Sequence, residues 1–164
     1  MKPEFLRDFA IRPALSLLPP SMTSDGAIAM LLATSLQESS IAARVQKGGG
    51  PARSYWQGEL TGGLVGVIRH PATKPHAQRL LAMLDYDPAS EALLVYRSIG
   101  DNDVLAAGLA RLLLYTLPDA LPARGEADRA WQMYLRLWRP GRPRPADFPA
   151  NFNAAWSLTC PTTT

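Results

Sequence analysis

The sequence predicts a mainly α fold: a single helical domain carrying a small irregular, partly β lobe around residues 42–63. Three observations point there. Apolar residues recur at spacings of three and four through most of the chain, the period of a helix with one buried face. The 164 residues include 15 prolines and 12 glycines, too many breakers for a long coiled coil, so the helices are short and cut by rigid turns. Cys160 is the only cysteine, which excludes a disulfide framework and a cysteine-rich zinc site. A chain of this length buries about two thirds of its unfolded surface and folds without cross-links.

Each element follows from its local signals. Residues 1–20 read as a helical extension of one or two short helices, with Phe5, Phe9, Ile11 and Leu15 apolar and Pro19-Pro20 as the stop. Thr23 or Ser24 caps the next helix, and Asp25 suits the positive end of its dipole. That helix runs to about Glu38, with Ile28, Leu31, Leu32, Ser35 and Leu36 on one face. From Ala42 to Gly63 the chain turns polar and glycine-rich, and loops of that length in compact domains are commonly functional. Shorter helices follow at Leu64 to Arg69, Pro75 to Leu84 and Ala89 to Ile99. Asp103 to Leu117 carries a leucine stripe that Pro118 ends, closing a core region at 24–117. Aromatic helices fill 126–158: Ala127 to Trp138, then Pro149 to Leu158 beside Phe148 and Phe152. Residues 159–164 form a loose tail.

Charge and hydropathy bound the function. Formal net charge is +3, and charged residues are 19% of the chain with no basic run, so nucleic acid is not an expected partner. The same mild basicity suits acidic wall polymers. The longest apolar run, Ala27 to Leu36, falls far short of the roughly 20 residues a membrane span needs. Met1 to Asp8 lacks the pattern of a secretory signal, so synthesis in a cytoplasm is expected and any work outside needs another exit.

Two carboxylates stand out. Glu38 lies seven residues after Leu31, nearly two helical turns, which places it on or beside the apolar face at the helix's C-terminal end. Burial and the negative helix end both disfavour its charge, as a general acid requires. The competing reading is a solvated glutamate at a fraying end. Glu59 is the second. If Tyr55 to Glu59 is extended, Tyr55, Gln57 and Glu59 share one side and Trp56 faces the core. Such a wall suits a sugar polymer, and paired carboxylates are what glycosidic cleavage uses. The competing reading is a surface turn anchored by a tryptophan.

Gln37-Glu38-Ser39 at a helix end, then Gly50-Pro51-Ala52-Arg53-Ser54-Tyr55-Trp56-Gln57 some twenty residues on, resembles the signature of goose-type lysozymes and soluble lytic transglycosylases. The resemblance covers about Asp25 to Gly63 and, loosely, Val104 to Leu112. It implies a lysozyme-like core, Glu38 as catalytic acid, Gln57 as a cleft residue, and Glu59 in the place of an active-site aspartate. Ser39, Tyr55 and Arg53 become substrate-binding candidates, Arg53 toward a muropeptide carboxylate. The departures are specific. Ser54 stands where a glycine is usual and Trp56 where a methionine is. Val104 and Arg111 stand at an asparagine and a tyrosine of a later motif that keeps only Gly108 and Leu112. No Ala-Tyr-Asn segment supplies the later cleft tyrosine.

The turn Trp138-Arg139-Pro140-Gly141-Arg142-Pro143 further resembles small proteins of tailed bacteriophages and prophages. The expectation is a peptidoglycan-cleaving glycosidase or lytic transglycosylase, phage-encoded and reaching the wall after release or within a virion. The alternative is a phage structural or head–tail assembly protein on the same scaffold, with virion proteins or its own copies as partners. No cofactor or metal is expected: His70 and His76 are six apart with prolines between them and no adjacent acid. Gly48 to Gly50 lacks the following Gly-Lys-Ser/Thr of a phosphate loop. Arg136, Arg139, Arg142 and Arg144 read either as a solvated turn or as a contact for acidic groups.

Overall fold

A computed structural model of the chain describes residues 1–46 and 48–159. The expectations for Cys160 and the rest of the tail lie outside the described residues.

The fold is mainly helical, as the periodicity predicts. Helices α1 (Pro3–Leu6) and α2 (Arg12–Ser16) are joined by a π-helical turn, Arg7–Ile11, in which the Arg12 N–H reaches back to the Arg7 carbonyl. Pro13 explains the widened turn. It has no N–H to give to Phe9, and its ring would collide with that carbonyl in a regular α-helix. A 3-10 turn at Pro20–Met22 leads into the central helix α3 (Asp25–Ser39). Ser24, not Thr23, caps α3, its hydroxyl accepting the Ala27 N–H at 3.1 Å. After the lobe come α4 (Gly63–Gly66), α5 (Lys74–Met83), α6 (Ala92–Ser98), α7 (Asp103–Tyr115), α8 (Ala127–Trp138) and α9 (Phe148–Ser157).

Helix α3 is buried on nearly every side from Ala27 to Ser35, so its apolar stripe widens to the whole circumference. Its largest packing surface is against α9. Helix α7, capped by the Asn102 side chain on Leu105 N–H at 2.9 Å, packs on α2, α4, α5 and α3. Gly108 allows the close approach to α5: a Cβ there would lie 2.4 Å from Leu80 Cδ2. One hydrophobic cluster extends from Leu6 to Ala155. Arg7 donates to the Leu158 carbonyl at 2.7 Å and Arg12 to the Thr159 carbonyl at 3.0 Å, clasping the N-terminal segment over the end of α9. Thr159 is buried and so belongs to the fold rather than to a tail.

The lobe at 42–63 is irregular, held by two isolated antiparallel bridges, Val45 with Arg53 and Arg53 with Gly58. The extended reading of Tyr55 to Glu59 is corrected here. Residues 54–57 form a tight turn closed by the Arg53–Gly58 pair, with Ser54 at φ 66° and Gln57 at φ 50°. Successive side chains therefore do not alternate between two faces.

Candidate active site

Where α3 ends, the chain reverses sharply. Ser40 and Ile41 both sit in the left-handed region, at φ 51° and 52°. A β-branched residue pays roughly 1–3 kcal/mol for that conformation, and Ile41 is held there by complete burial. The reversal leaves the last turn of α3 facing an open groove of about 1080 Å³. Gln37, Glu38 and Ser39 line it from α3. Gln57, Gly58 and Glu59 line it from the lobe. Tyr134, Trp138, Arg139, Arg142 and Arg144 line it from α8 and the segment beyond.

The Glu38 carboxyl is half-buried and accepts a hydrogen bond from the Tyr134 hydroxyl at 2.6 Å. Burial holds its pKa above the usual carboxylate range. The Tyr134 hydrogen bond and the Arg144 charge pull it back in part, and the Glu59 charge adds a small push upward. Tyr134 in turn is pushed up, first by its own burial and then by Glu38, so it stays a neutral donor. This is the environment of a carboxyl that holds its proton to higher pH than a solvated one.

Tyr134 is held by an aromatic stack. Its ring lies 5.2 Å from both Trp131 and Phe148 and 6.2 Å from Trp138, and Phe148 continues to Phe152. The segment after α8 is fixed by a clasp on Gln37, a fully enclosed amide. Arg144 donates to the Gln37 carbonyl, the Gln37 amide donates to the Arg144 carbonyl at 3.0 Å, and Asn151 donates to the Gln37 side-chain oxygen at 2.9 Å. The clasp puts the Arg144 guanidinium beside Glu38.

Trp56 anchors the lobe. It is fully buried, its indole donates to the Leu31 carbonyl at 2.9 Å, and its own carbonyl accepts from Trp138 at 3.1 Å. Ser54 stands at a left-handed position that a glycine occupies without strain, and its hydroxyl compensates by accepting the Trp56 N–H at 3.2 Å.

The candidate residues divide. Glu38, Gln57 and Glu59 line one groove, with Glu59 exposed and Glu38 half-buried. Gln57 reaches the groove, but its amide nitrogen closes its own turn on the Ser54 carbonyl at 2.8 Å, leaving its oxygen as the group to offer. Ser39 lines the groove while its hydroxyl ties α3 to the lobe, donating to the Tyr55 carbonyl at 2.9 Å and to Ser35 at 3.0 Å. Tyr55 and Arg53 do not line it. The Tyr55 ring is buried beneath the Arg44 guanidinium at 5.1 Å, and Arg44 pairs with Asp103. Arg53 donates to the Gly50 and Ala52 carbonyls at 2.9 and 3.1 Å and lies over Tyr96 at 5.4 Å. Both serve the lobe's structure, because the tight turn rotates them away from the groove.

Tyr134 and Arg144 are the residues that sequence reasoning missed as partners of Glu38. One signal was available: a tyrosine on the buried face of an aromatic helix needs an acceptor for its hydroxyl. His70 lines the groove with Nδ1 accepting the Ala72 N–H at 3.3 Å, and His76 packs edge-on to Tyr115 at 5.9 Å. Among the described residues no three His, Cys, Asp or Glu side chains gather to hold a metal. No helix among them is long and apolar enough to cross a membrane.

Compared with known proteins, the chain matches no protein-family model, no curated protein and no solved structure.

Proposed function

We propose that this chain cleaves the glycan strand of bacterial peptidoglycan as a lysozyme-like glycosidase or lytic transglycosylase, with Glu38 as the general acid. One observation carries the reading: a half-buried carboxyl with a raised pKa, hydrogen-bonded by Tyr134, lines an open groove that Glu59 also lines. Glu38 gives its proton to the glycosidic oxygen as the bond from that oxygen to the anomeric carbon breaks. The oxocarbenium ion that develops is captured by water or by the substrate's own C6 hydroxyl, and the proton released returns to a carboxylate. Capture by water gives hydrolysis; capture by the hydroxyl gives a 1,6-anhydro end. Glu59 favours water, by accepting its proton or by steadying the positive charge. The groove's arginines, Arg136, Arg139, Arg142 and Arg144, complement the carboxylates of the wall's stem peptides. On this reading the chain is phage-encoded and meets the wall after lysis or as part of a virion.

Loss of turbidity of purified wall tests the assignment, with wild type and Glu38→Gln compared. A fall of about a hundredfold or more is expected for a lost general acid; equal rates sink it. Glu59→Gln is expected to raise the share of anhydro ends among the products, read by mass spectrometry.

A second reading has its own observation. Phe5 and Phe9 stack at 5.6 Å on the N-terminal segment and are 53% and 69% exposed. Such a pair suits a contact with another virion protein or a second copy, as expected of a phage assembly protein on this scaffold. Light scattering after size exclusion separates the readings. A ring without wall-clearing activity favours assembly, and a monomer that clears wall favours the enzyme.

A further inference from the structure

A second pocket, of about 410 Å³, lies away from the groove, between the segment 119–123 and the start of α3. Arg111 from α7 and Trp156 from α9 reach it from the core side. Arg111 is 5% exposed, so it is a buried cation, and no carboxylate among the described residues pairs with it. Its Nε donates to the Met22 carbonyl at 2.7 Å, and its other four N–H groups have no acceptor among the described residues. The Trp156 indole nitrogen is likewise buried with no acceptor. Buried donors normally find partners, and an unpaired buried charge is among the costlier arrangements in a protein. The Arg111 guanidinium lies over the Tyr115 ring at 5.9 Å, and its open N–H groups reach the pocket with no carboxylate to meet them among the described residues, so they are free to take an acceptor from outside the chain.

The rest of the lining agrees. Ser24, the cap of α3, and Gly26 in its first turn also line the pocket, bringing the positive end of a 15-residue helix near it, an end that carries Asp25 as well. The Ser21 side chain adds a hydroxyl. Arg124 is close by, donating to the Trp156 carbonyl at 3.4 Å. The one carboxylate of the lining, Asp119, is engaged by Arg136 at 3.0 Å. Burial pulls the Arg111 pKa down to about 10, still well above neutral, so the guanidinium is charged when an anion arrives.

We propose that this pocket binds a phosphoryl group, as free phosphate or a small phosphate monoester, through the Arg111 fork, with the Trp156 indole beside it. A planar guanidinium presenting parallel N–H groups matches an oxyanion's oxygens. The proposal does not rest on any glycan chemistry in the groove.

The test reads the indole signals of the ¹⁵N-labelled full chain. Its four tryptophans give four signals, and Trp156→Phe identifies one of them by its loss. Inorganic phosphate, glycerol phosphate and chloride are titrated at matched ionic strength. The Trp156 signal is expected to move saturably with at least one phosphate compound and not with chloride. Whichever compound saturates it names the source. Arg111→Lys keeps the charge and removes the fork, and is expected to weaken binding roughly tenfold. A Trp156 signal that stays still, follows chloride equally, or saturates at the same concentration in Arg111→Lys overturns the proposal. The unaltered protein gives a second reading that needs no variant. Its melting temperature must rise with the saturating phosphate compound relative to chloride, and no rise overturns the site.

Discussion

Tyr134→Phe isolates the hydrogen bond that tunes Glu38. The substitution removes one oxygen and leaves the ring in its stack between Trp131, Phe148 and Trp138. The lost bond is short, 2.6 Å, and it favours the charged form of Glu38. Hydrogen bonds to charged groups are worth about 1.5–3 kcal/mol. Losing this bond therefore raises the Glu38 pKa. Because Glu38 is only half-buried, water replaces part of the bond, so a cost near the lower end, about 1.5 kcal/mol, is expected. Two assays read it. The Glu38 side-chain carboxyl carbon, followed by NMR against pH, must titrate higher in the variant. If the chain clears wall, the alkaline limb of its pH profile, set by loss of the Glu38 proton, must move up by the same amount. Stability gives a signed check. Glu38 has a folded-state pKa above its unfolded value, so its contribution is fully present below the unfolded pKa and is lost as pH rises through the folded one. Moving the folded pKa further up enlarges that loss. The melting temperature of Tyr134→Phe must therefore fall further behind wild type as pH rises from acid to neutral. A titration that stays put or moves down, or a melting gap that shrinks with pH, would refute the reasoning.

The other predictions are simpler. Glu38→Gln removes the cost of charging a half-buried carboxyl while keeping an acceptor for Tyr134; it should melt a few degrees higher than wild type at neutral pH, about 2–4 °C for each 1 kcal/mol, and show no gain in acid. Trp56→Ala removes a fully buried ring and its bond to the Leu31 carbonyl; a loss of about 3–5 kcal/mol in a denaturant titration is expected. Gly108→Ala forces a methyl to 2.4 Å from Leu80 Cδ2 and should cost about 1–3 kcal/mol, while the double variant with Leu80→Ala should recover part of it.

Helices were legible in the sequence because their signals are local. The Ser24 cap, the proline stops and the three-and-four spacing each act within a few residues, and α3, α7 and α8 lie within a few residues of where those signals put them. The lobe was less legible for a physical reason. Ser54 and Gln57 adopt left-handed backbone that neither residue type advertises, and one such turn is enough to cancel a period of two. Tyr55 and Arg53 were misplaced by that single assumption. Their partners, Arg44 and Tyr96, are not sequence neighbours.

Glu38 was placed by local reasoning, because helix phase and helix end are both near neighbours of the residue. What tunes it was not. The Tyr134 hydroxyl comes from 96 residues away and Arg144 arrives through a clasp spanning 107 residues. The two parts answer to different constraints. Position along α3 decides whether Glu38 loses water, and any packing that buries the end of α3 would do that. The sign and size of the remaining shift depend on which donor faces the carboxylate. Here the aromatic stack of α8 and α9 fixes that donor, since Tyr134 cannot turn away without opening contacts to three rings at once. A hydroxyl for Glu38 thus comes from a part of the chain that no motif marks. A search by spacing alone misses it, because the quantity under constraint is a hydroxyl within hydrogen-bond reach of one carboxyl oxygen, and many chain paths bring a hydroxyl there.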